Sequence, residues 1–264
     1  GLKRELLDKF YTSPHIVIEC IKNIKENLEI NKNDLCIEPS AGNGAFINGI
    51  KSMFKFYKFY DLKPENEEVI KQDYLDFQYE NIHNNKYNKK HIVGNPPFGR
   101  QSSLAIKFIK KSVEFCDSIS FILPKSFKKE SLKKYFPLNF HLIFEWDLPQ
   151  DSFLIEDEIY DVPCVFQIWV RKEIFRKKPE KLIPQDFKFV KKNEEHDISF
   201  RRVGINSGFV DKNTKEKSIQ SHYFIKFKIP FTEEIYTKIS KIKFDSKNNT
   251  VGPKSISKQE LILE

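Results

Sequence analysis

The stretch that most limits how this chain can fold is Ile92-Val93-Gly94-Asn95-Pro96-Pro97-Phe98-Gly99. Ile92 and Val93 read as the end of a short buried strand, and Gly94 lets the chain leave it. Pro96 and Pro97 fix φ and remove two backbone donors, so neither a helix nor a sheet ladder continues past Asn95. A stiff loop is therefore expected at a strand's C-terminal end, the edge where open α/β sheets bind ligands. It offers the Asn95 side-chain carbonyl and the Pro96 backbone carbonyl as acceptors, beside the aromatic face of Phe98. That set suits a planar base bearing an amino group. Taken alone, it suits a rigid turn after a strand better.

Other strand ends carry groups of the same kind. The apolar strand Leu35-Cys36-Ile37 runs into Glu38-Pro39-Ser40-Ala41-Gly42-Asn43-Gly44-Ala45-Phe46, and a helix follows over 47–51. Glycines at a strand-to-helix turn let backbone approach a ligand and expose helix N-terminal N–H groups. Position 47 is Ile, which argues against a GxGxxG pyrophosphate loop. A strand over 55–60 ends in Asp61, roughly 20 positions after the glycine turn, a spacing that suits ribose hydroxyls or a solvated loop carboxylate. A third strand over 69–72 leads to Asp73 and Tyr74.

The remaining pattern fills in a sheet. Phe10-Tyr11-Thr12-Ser13-Pro14 follows a short opening helix and precedes a longer one ending near residue 27. Ser13 suits the cap of that second helix and Pro14 its first turn. Ile16, Val17, Cys20, Ile21 and Ile24 recur at helical spacing and mark its core face. Residues 80–90 are polar and read as an exposed loop. Arg100 opens the approach to a helix over 104–115. A strand over 118–123 ends at Pro124, and Lys125 then stands at the same sheet edge, meeting phosphates or lying on a solvated helix. Strands over 138–146 and 162–170 are separated by a loop, Leu148 to Phe153, with no helix pattern. The expectation is an α/β fold, a mostly parallel doubly wound sheet with an antiparallel hairpin at one edge. It fills residues 1–170, and residues 171–264 form a small basic α+β region.

Charge supports that division. The chain has 264 residues and a net charge of +8. Residues 171–264 hold 22 Lys and Arg against 13 Asp and Glu, whereas residues 1–170 hold 23 against 24. The excess in the last third points to a polyanionic partner or to a lysine-rich solvated surface. The four cysteines are scattered through apolar segments, which favours reduced, buried thiols over disulfides or metal ligands. No metal site is expected. The absence of a signal peptide and of a long apolar run makes a soluble intracellular protein with no membrane association the expectation, in cytoplasm or, for a eukaryotic or viral source, nucleus or viral factory. Nothing fixes an oligomeric state.

Together these motifs resemble the class I S-adenosylmethionine-dependent N6-adenine methyltransferases, in the motif order of the gamma group of DNA enzymes. The string from Gly94 to Leu104 is similar to phage, bacterial and large-virus enzymes of this type. The resemblance covers about residues 8–170. It implies that Glu38, Pro39, Ser40, Gly42, Gly44 and Phe46 hold the methionine end of S-adenosylmethionine, with Tyr11, Thr12 and Pro14 lining the same pocket. Asp61 would bind the ribose, and Asp73 with Tyr74 the cofactor adenine. Asn95, Pro96, Pro97 and Phe98 would form the catalytic loop, with Asn95 also touching the cofactor and Phe98 stacking on the target base. Phe153 matches a second aromatic over a flipped base, or is a core phenylalanine. Arg100, Lys125, Arg201 and Arg202 are the candidate substrate contacts, although structural pairing explains the two last as well. DNA is the expected substrate and RNA the alternative. Behind these stand a protein glutamine amide and a catalytically silent nucleic-acid-binding subunit.

Overall fold

The computed structural model describes residues 11–82, 86–155 and 158–264, so Phe10 and the expected opening helix lie outside the described residues. The chain divides into two compact units, one running to Lys178 and the other spanning Pro179–Glu264.

In the first unit, β1 (Tyr11–Thr12) leads directly into α1 (Pro14–Asn27), whose first helical residue is the expected proline. Ser13 precedes it but makes no side-chain cap; its hydroxyl donates instead to the Asp151 carbonyl at 2.8 Å. Ile16, Val17, Cys20, Ile21 and Ile24 are all buried, as the spacing required. Each such side chain contributes about 1.5–3 kcal/mol of transfer free energy, which sets this helix against the sheet more firmly than its caps do.

The sheet strands follow as β2 (Leu35–Glu38), β3 (Phe56–Asp61), β4 (Ile70–Lys71) and β5 (Lys90–Gly94), with α2 (Ile47–Met53) between the first two. Next come α3 (Ser103–Ser112), β6 (Ser118–Pro124), the single turn α4 (Glu130–Lys133) and β7 (Phe140–Asp147). The unit closes with β8 (Phe153–Ile155), β9 (Glu158–Tyr160) and β10 (Cys164–Arg171). Seven strands form one sheet in the order β4-β3-β2-β5-β6-β10-β7. The order reverses between β2 and β5, which start parallel ladders running in opposite directions across the sheet. That switch opens a crevice beyond the C-terminal strand ends.

The antiparallel pair expected at one sheet edge is present: β7 is the edge strand, and β10 lies between it and β6, antiparallel to both. The Cys164 to Trp169 segment of β10 is buried throughout, as a strand with both faces covered must be. The polar exception, Gln167, donates to Glu145 Oε2 at 2.7 Å and accepts from the Trp169 indole at 3.0 Å. One feature departs from the sequence expectation: the segment between these strands, expected as a plain loop near Phe153, carries β8 and β9. These form a three-stranded sheet with β1, in which Thr12 lies opposite Phe153.

The second unit is a four-stranded antiparallel sheet in the order β11-β14-β12-β13, made of β11 (Phe187–Val190), β12 (Ile198–Arg201), β13 (Val210–Asp211) and β14 (His222–Phe227). It carries α5 (Glu233–Ser240), capped by Thr232, and α6 (Lys258–Leu263), which has a Ser257/Glu260 capping box. Ile198, Phe200, Val210, Ile225, Phe244 and Ile256 form its own core.

Candidate active site

The C-terminal ends of β2, β3 and β5 converge, with β1, on a cleft of about 710 Å³. It brings together most of the residues singled out in the sequence. Tyr11 and Thr12 line it, as do Glu38, Pro39, Ser40, Gly42 and Phe46, then Asp61, Asp73, Tyr74, Asn95 and Pro97. Leu62, Lys63, Glu65, Gln72, Leu104 and Phe108 also line it and were not anticipated. Their signal was only proximity to the anticipated carboxylates and to the start of α3. Pro14 and Gly44 line a neighbouring groove that shares Tyr11 and Thr12 with the cleft.

Asp61 organises the glycine turn. One carboxylate oxygen accepts the Gly42 N–H at 2.8 Å and the other the Lys63 N–H at 2.7 Å. The Ala41 N–H donates to the Tyr60 carbonyl at 2.8 Å, which tethers the turn to the end of β3. Gly44 adopts φ +86°, and a Cβ there would come within 2.7 Å of both Asn66 and Ile47, so the tight path of the turn depends on this glycine. Asp73 acts similarly past the end of β4: its side chain accepts the Leu75 N–H at 2.9 Å, and its carbonyl accepts from the Gln72 amide. Tyr74 is buried below, with its hydroxyl 2.9 Å from Ser112 Oγ. Tyr11 donates to Glu65 at 2.6 Å, and burial together with that carboxylate pushes its phenol up to about 12.

Glu38 is the unusual group. It is 2% exposed, and its Oε2 has no hydrogen-bond partner among the described residues. Burial, and then the Asp61 charge, push its carboxyl up to about 8. Across the strand boundary, a Cβ on Gly94 would stand 3.2 Å from Glu38 Cγ, so only a small residue lets the β5 end pass so close to this carboxyl.

Directly after Gly94, Asn95 is held from two sides. Its side-chain amide donates to Thr12 Oγ1 at 3.3 Å, and its backbone carbonyl accepts from Ser40 Oγ at 3.1 Å. The catalytic-loop candidate is thereby tied to both the β1 end and the glycine turn. Pro96 is buried and Phe98 half-buried against the core. The Phe98 carbonyl accepts from the Leu104 and Ala105 N–H groups at 3.1 and 3.4 Å, which anchors the loop to the start of α3. Between them, Gln101 and Ser102 take left-handed conformations at φ 54° and 62°. Two successive non-glycine residues there cost of order 1–3 kcal/mol each.

The remaining candidates sit elsewhere. Phe153 is fully buried in the main core cluster. Arg100 is exposed just past the loop, and Lys125 pairs with Asp147 at 3.1 Å. Arg201 and Arg202 belong to the second unit, where they donate to the carbonyls of Val203 and Gln220 at 3.0 and 3.1 Å.

At the N-terminal ends of β2, β5 and β6, Asp34, His91 and Ser118 are linked as a carboxylate–imidazole–hydroxyl chain, with His91 3.2 Å from Asp34 and 2.7 Å from Ser118. All three are at most 2% exposed and border none of the clefts described here, so the chain serves the fold rather than nucleophilic chemistry. Burial holds the His91 imidazole below its ordinary value. The four cysteines are buried and unpaired as disulfides. No group of metal-binding side chains occurs among the described residues, and no helix among them is long and apolar enough to cross a membrane.

No family model matches the chain, and no curated protein matches it in sequence. Solved structures match in fold. A Pyrococcus horikoshii protein described as a candidate RNA methyltransferase aligns over 64% of this chain and 89% of its own, at 14% identity and a TM-score of 0.49. The 23S rRNA methyltransferase ErmE aligns over 65% of this chain and 73% of its own, at 12% identity and 0.46. A type I restriction-modification methyltransferase subunit from Streptococcus thermophilus aligns over 64% and 47%, at 14% and 0.45.

Proposed function

We propose that this protein is an S-adenosylmethionine-dependent methyltransferase acting on N6 of adenine in DNA. The observation that carries this reading is a juxtaposition. A buried carboxyl with a partnerless oxygen ends one strand, and the loop after the strand beside it brings Asn95 and Pro97 to the same cleft.

The residues present fit that cofactor. A cleft of about 710 Å³ lies within the ordinary range for small-molecule sites. A buried, unsatisfied carboxyl is costly by itself and is relieved by a cationic partner, which the cofactor's ammonium would provide. Each Asp61 oxygen accepts one N–H, and a carboxylate oxygen has a second lone pair suited to a ribose hydroxyl. The cofactor supplies a sulfonium-activated methyl group. The chain's own contribution is placement. An adenine amino nitrogen is a weak nucleophile because its lone pair is delocalised into the ring. The Asn95 side-chain carbonyl and the Pro96 carbonyl accept its two hydrogens and favour a pyramidal nitrogen whose lone pair faces the methyl donor. Thr12 takes the amide end of Asn95 and so orients the carbonyl end. Catalysis is then mainly positioning, and the amino proton is lost after transfer. In duplex DNA the adenine has to leave the stack at a cost of a few kcal/mol, offset by stacking on Phe98.

The test supplies labelled S-adenosylmethionine with duplex DNA, single-stranded DNA and RNA in parallel, followed by nucleoside analysis. N6-methyladenine in DNA is expected. Label only in RNA moves the substrate assignment, and no transfer to any nucleic acid overturns the proposal. Asn95→Ala is expected to lower the transfer rate by on the order of 10²-fold while cofactor affinity changes little.

A further inference from the structure

The second unit holds a groove of about 750 Å³ against its sheet. It lies where β11 ends and β14 begins, and there Phe189 and Tyr223 meet edge to face with ring centroids 5.4 Å apart. Lys191, Lys192 and Lys258 line it, and among the described residues no carboxylate does. The nearest acidic group by bonding, Glu194, accepts the Lys191 backbone N–H at 2.5 Å. Lys258 Nζ lies over the rings, 4.5 Å from the Phe189 centroid and 5.6 Å from that of Tyr223, so a base stacking there displaces the ammonium toward its phosphate. His222 also lines it. Its Nδ1 is 3.1 Å from the Ser218 carbonyl and 3.0 Å from Ser221 Oγ, and burial holds its pKa below the ordinary value.

Aromatic faces inside a lysine-lined groove are the two elements of single-strand nucleic-acid binding: stacking for bases and cations for phosphates. A duplex cannot use this arrangement, because its bases are already stacked and only phosphates reach the groove. We infer that the groove bounded by Phe189, Tyr223, Lys191, Lys192 and Lys258 binds an unpaired polynucleotide segment, with a base on the aromatic rings and phosphates at the lysines. DNA and RNA share this chemistry. The inference builds on the reading of the protein as a nucleic-acid methyltransferase, but it is a statement about binding that needs no cofactor.

The test is fluorescence anisotropy on the full chain without cofactor, using labelled oligo-dT, oligo-U and a duplex. Oligo-dT or oligo-U should bind at least tenfold more tightly than the duplex. The triple variant K191E/K192E/K258E should lose at least tenfold in single-strand affinity and flatten its salt dependence. Phe189→Leu keeps an apolar side chain but removes the ring, and should weaken binding severalfold with an unchanged circular dichroism melt. Wild-type single-strand affinity in the charge variant, or equal loss of duplex and single-strand binding, overturns the assignment. Methyl transfer is measured separately on the same protein variants, with labelled S-adenosylmethionine and adenine-containing single strands and duplex. Single-strand binding sensitive to these variants without methyl transfer supports the groove and sinks the enzymatic reading. Transfer with binding insensitive to them does the reverse.

Discussion

At the scale of single residues, Glu38 makes the sharpest claim. In the folded chain its carboxyl is pushed up to about 8, whereas an unfolded glutamate titrates near 4.5. Between those values the native state holds a proton that the unfolded chain releases. Stability from this group is therefore complete at low pH and is lost as pH rises through the window, by up to about 1.4 kcal/mol per pH unit. Thermal melts of the cofactor-free protein should show Glu38→Gln losing that downward slope, and the variant should be more stable than wild type near pH 8. The same residue should couple to a cationic ligand. Binding favours the ionised carboxylate, so at about neutral pH it expels a proton, and wild-type affinity for the cofactor should tighten as pH rises toward 8. Calorimetry in two buffers of different ionisation enthalpy measures that proton directly. Equal proton release in Glu38→Gln would exclude Glu38 as its source.

At the scale of elements, two arginines show what charge counting concealed. Arg171 ends β10 and donates to the Cys116 and Val113 carbonyls at 2.9 and 2.6 Å. Arg176 donates to the carbonyls of Phe140, Phe136 and Pro137, and its guanidinium lies 5.2 Å from the Trp169 ring. Both fall in the basic run that the sequence offers as polyanion-binding, yet both fasten the chain to turns beside α3, α4 and β7. Arg176→Ala should destabilise the first unit by about 2–3 kcal/mol, since it strips a charged donor from several carbonyls at once. Its melting temperature should fall by roughly 5–10 °C. Arg176→Lys should recover only a fraction of this, because a single ammonium cannot span the fork. A full recovery would show that charge alone mattered.

The same scale explains what the sequence could tell. α1 was legible because Pro14 and five apolar residues at helical spacing are local signals. The carboxylates at the ends of β2 and β3 and the double proline after β5 were legible for the same reason, and the sheet brings them together because parallel strands align their C-terminal ends. Which strand of the antiparallel pair takes the edge was not, because strand order is set by packing across the sheet. The β8–β9 pair was missed because strands of three residues show no alternation, and the two-residue partner β1 lies far away in sequence. Phe153 follows from that omission: once it faces Thr12 on β8, its ring fills core rather than the cleft.

At the scale of the whole molecule, the proposed cofactor cleft and the inferred strand-binding groove assign two kinds of binding to the two units. The first unit contributes a cleft in which carboxylates and backbone groups, rather than lysines, dominate the polar contacts. The second, from Pro179, holds 17 Lys and Arg against 12 Asp and Glu, and several of its lysines are already paired, such as Lys226 with Glu195 and Asp197 and Lys217 with Asp211. Among its remaining lysines, Lys191, Lys192 and Lys258 gather at one groove. Polyanion binding by three or four such contacts releases few counterions, so log affinity should fall against log salt with a slope of about −2 to −3 for a single strand. Raising salt from about 50 to 200 mM should then weaken single-strand binding roughly 20- to 50-fold. Cofactor affinity should change little over the same range, because a buried carboxyl is screened far less than exposed lysines. Anisotropy and calorimetry at matched salt concentrations separate the two. A parallel fall in both affinities would mean that one electrostatic surface serves both ligands, and the division of labour between the units would have to be abandoned.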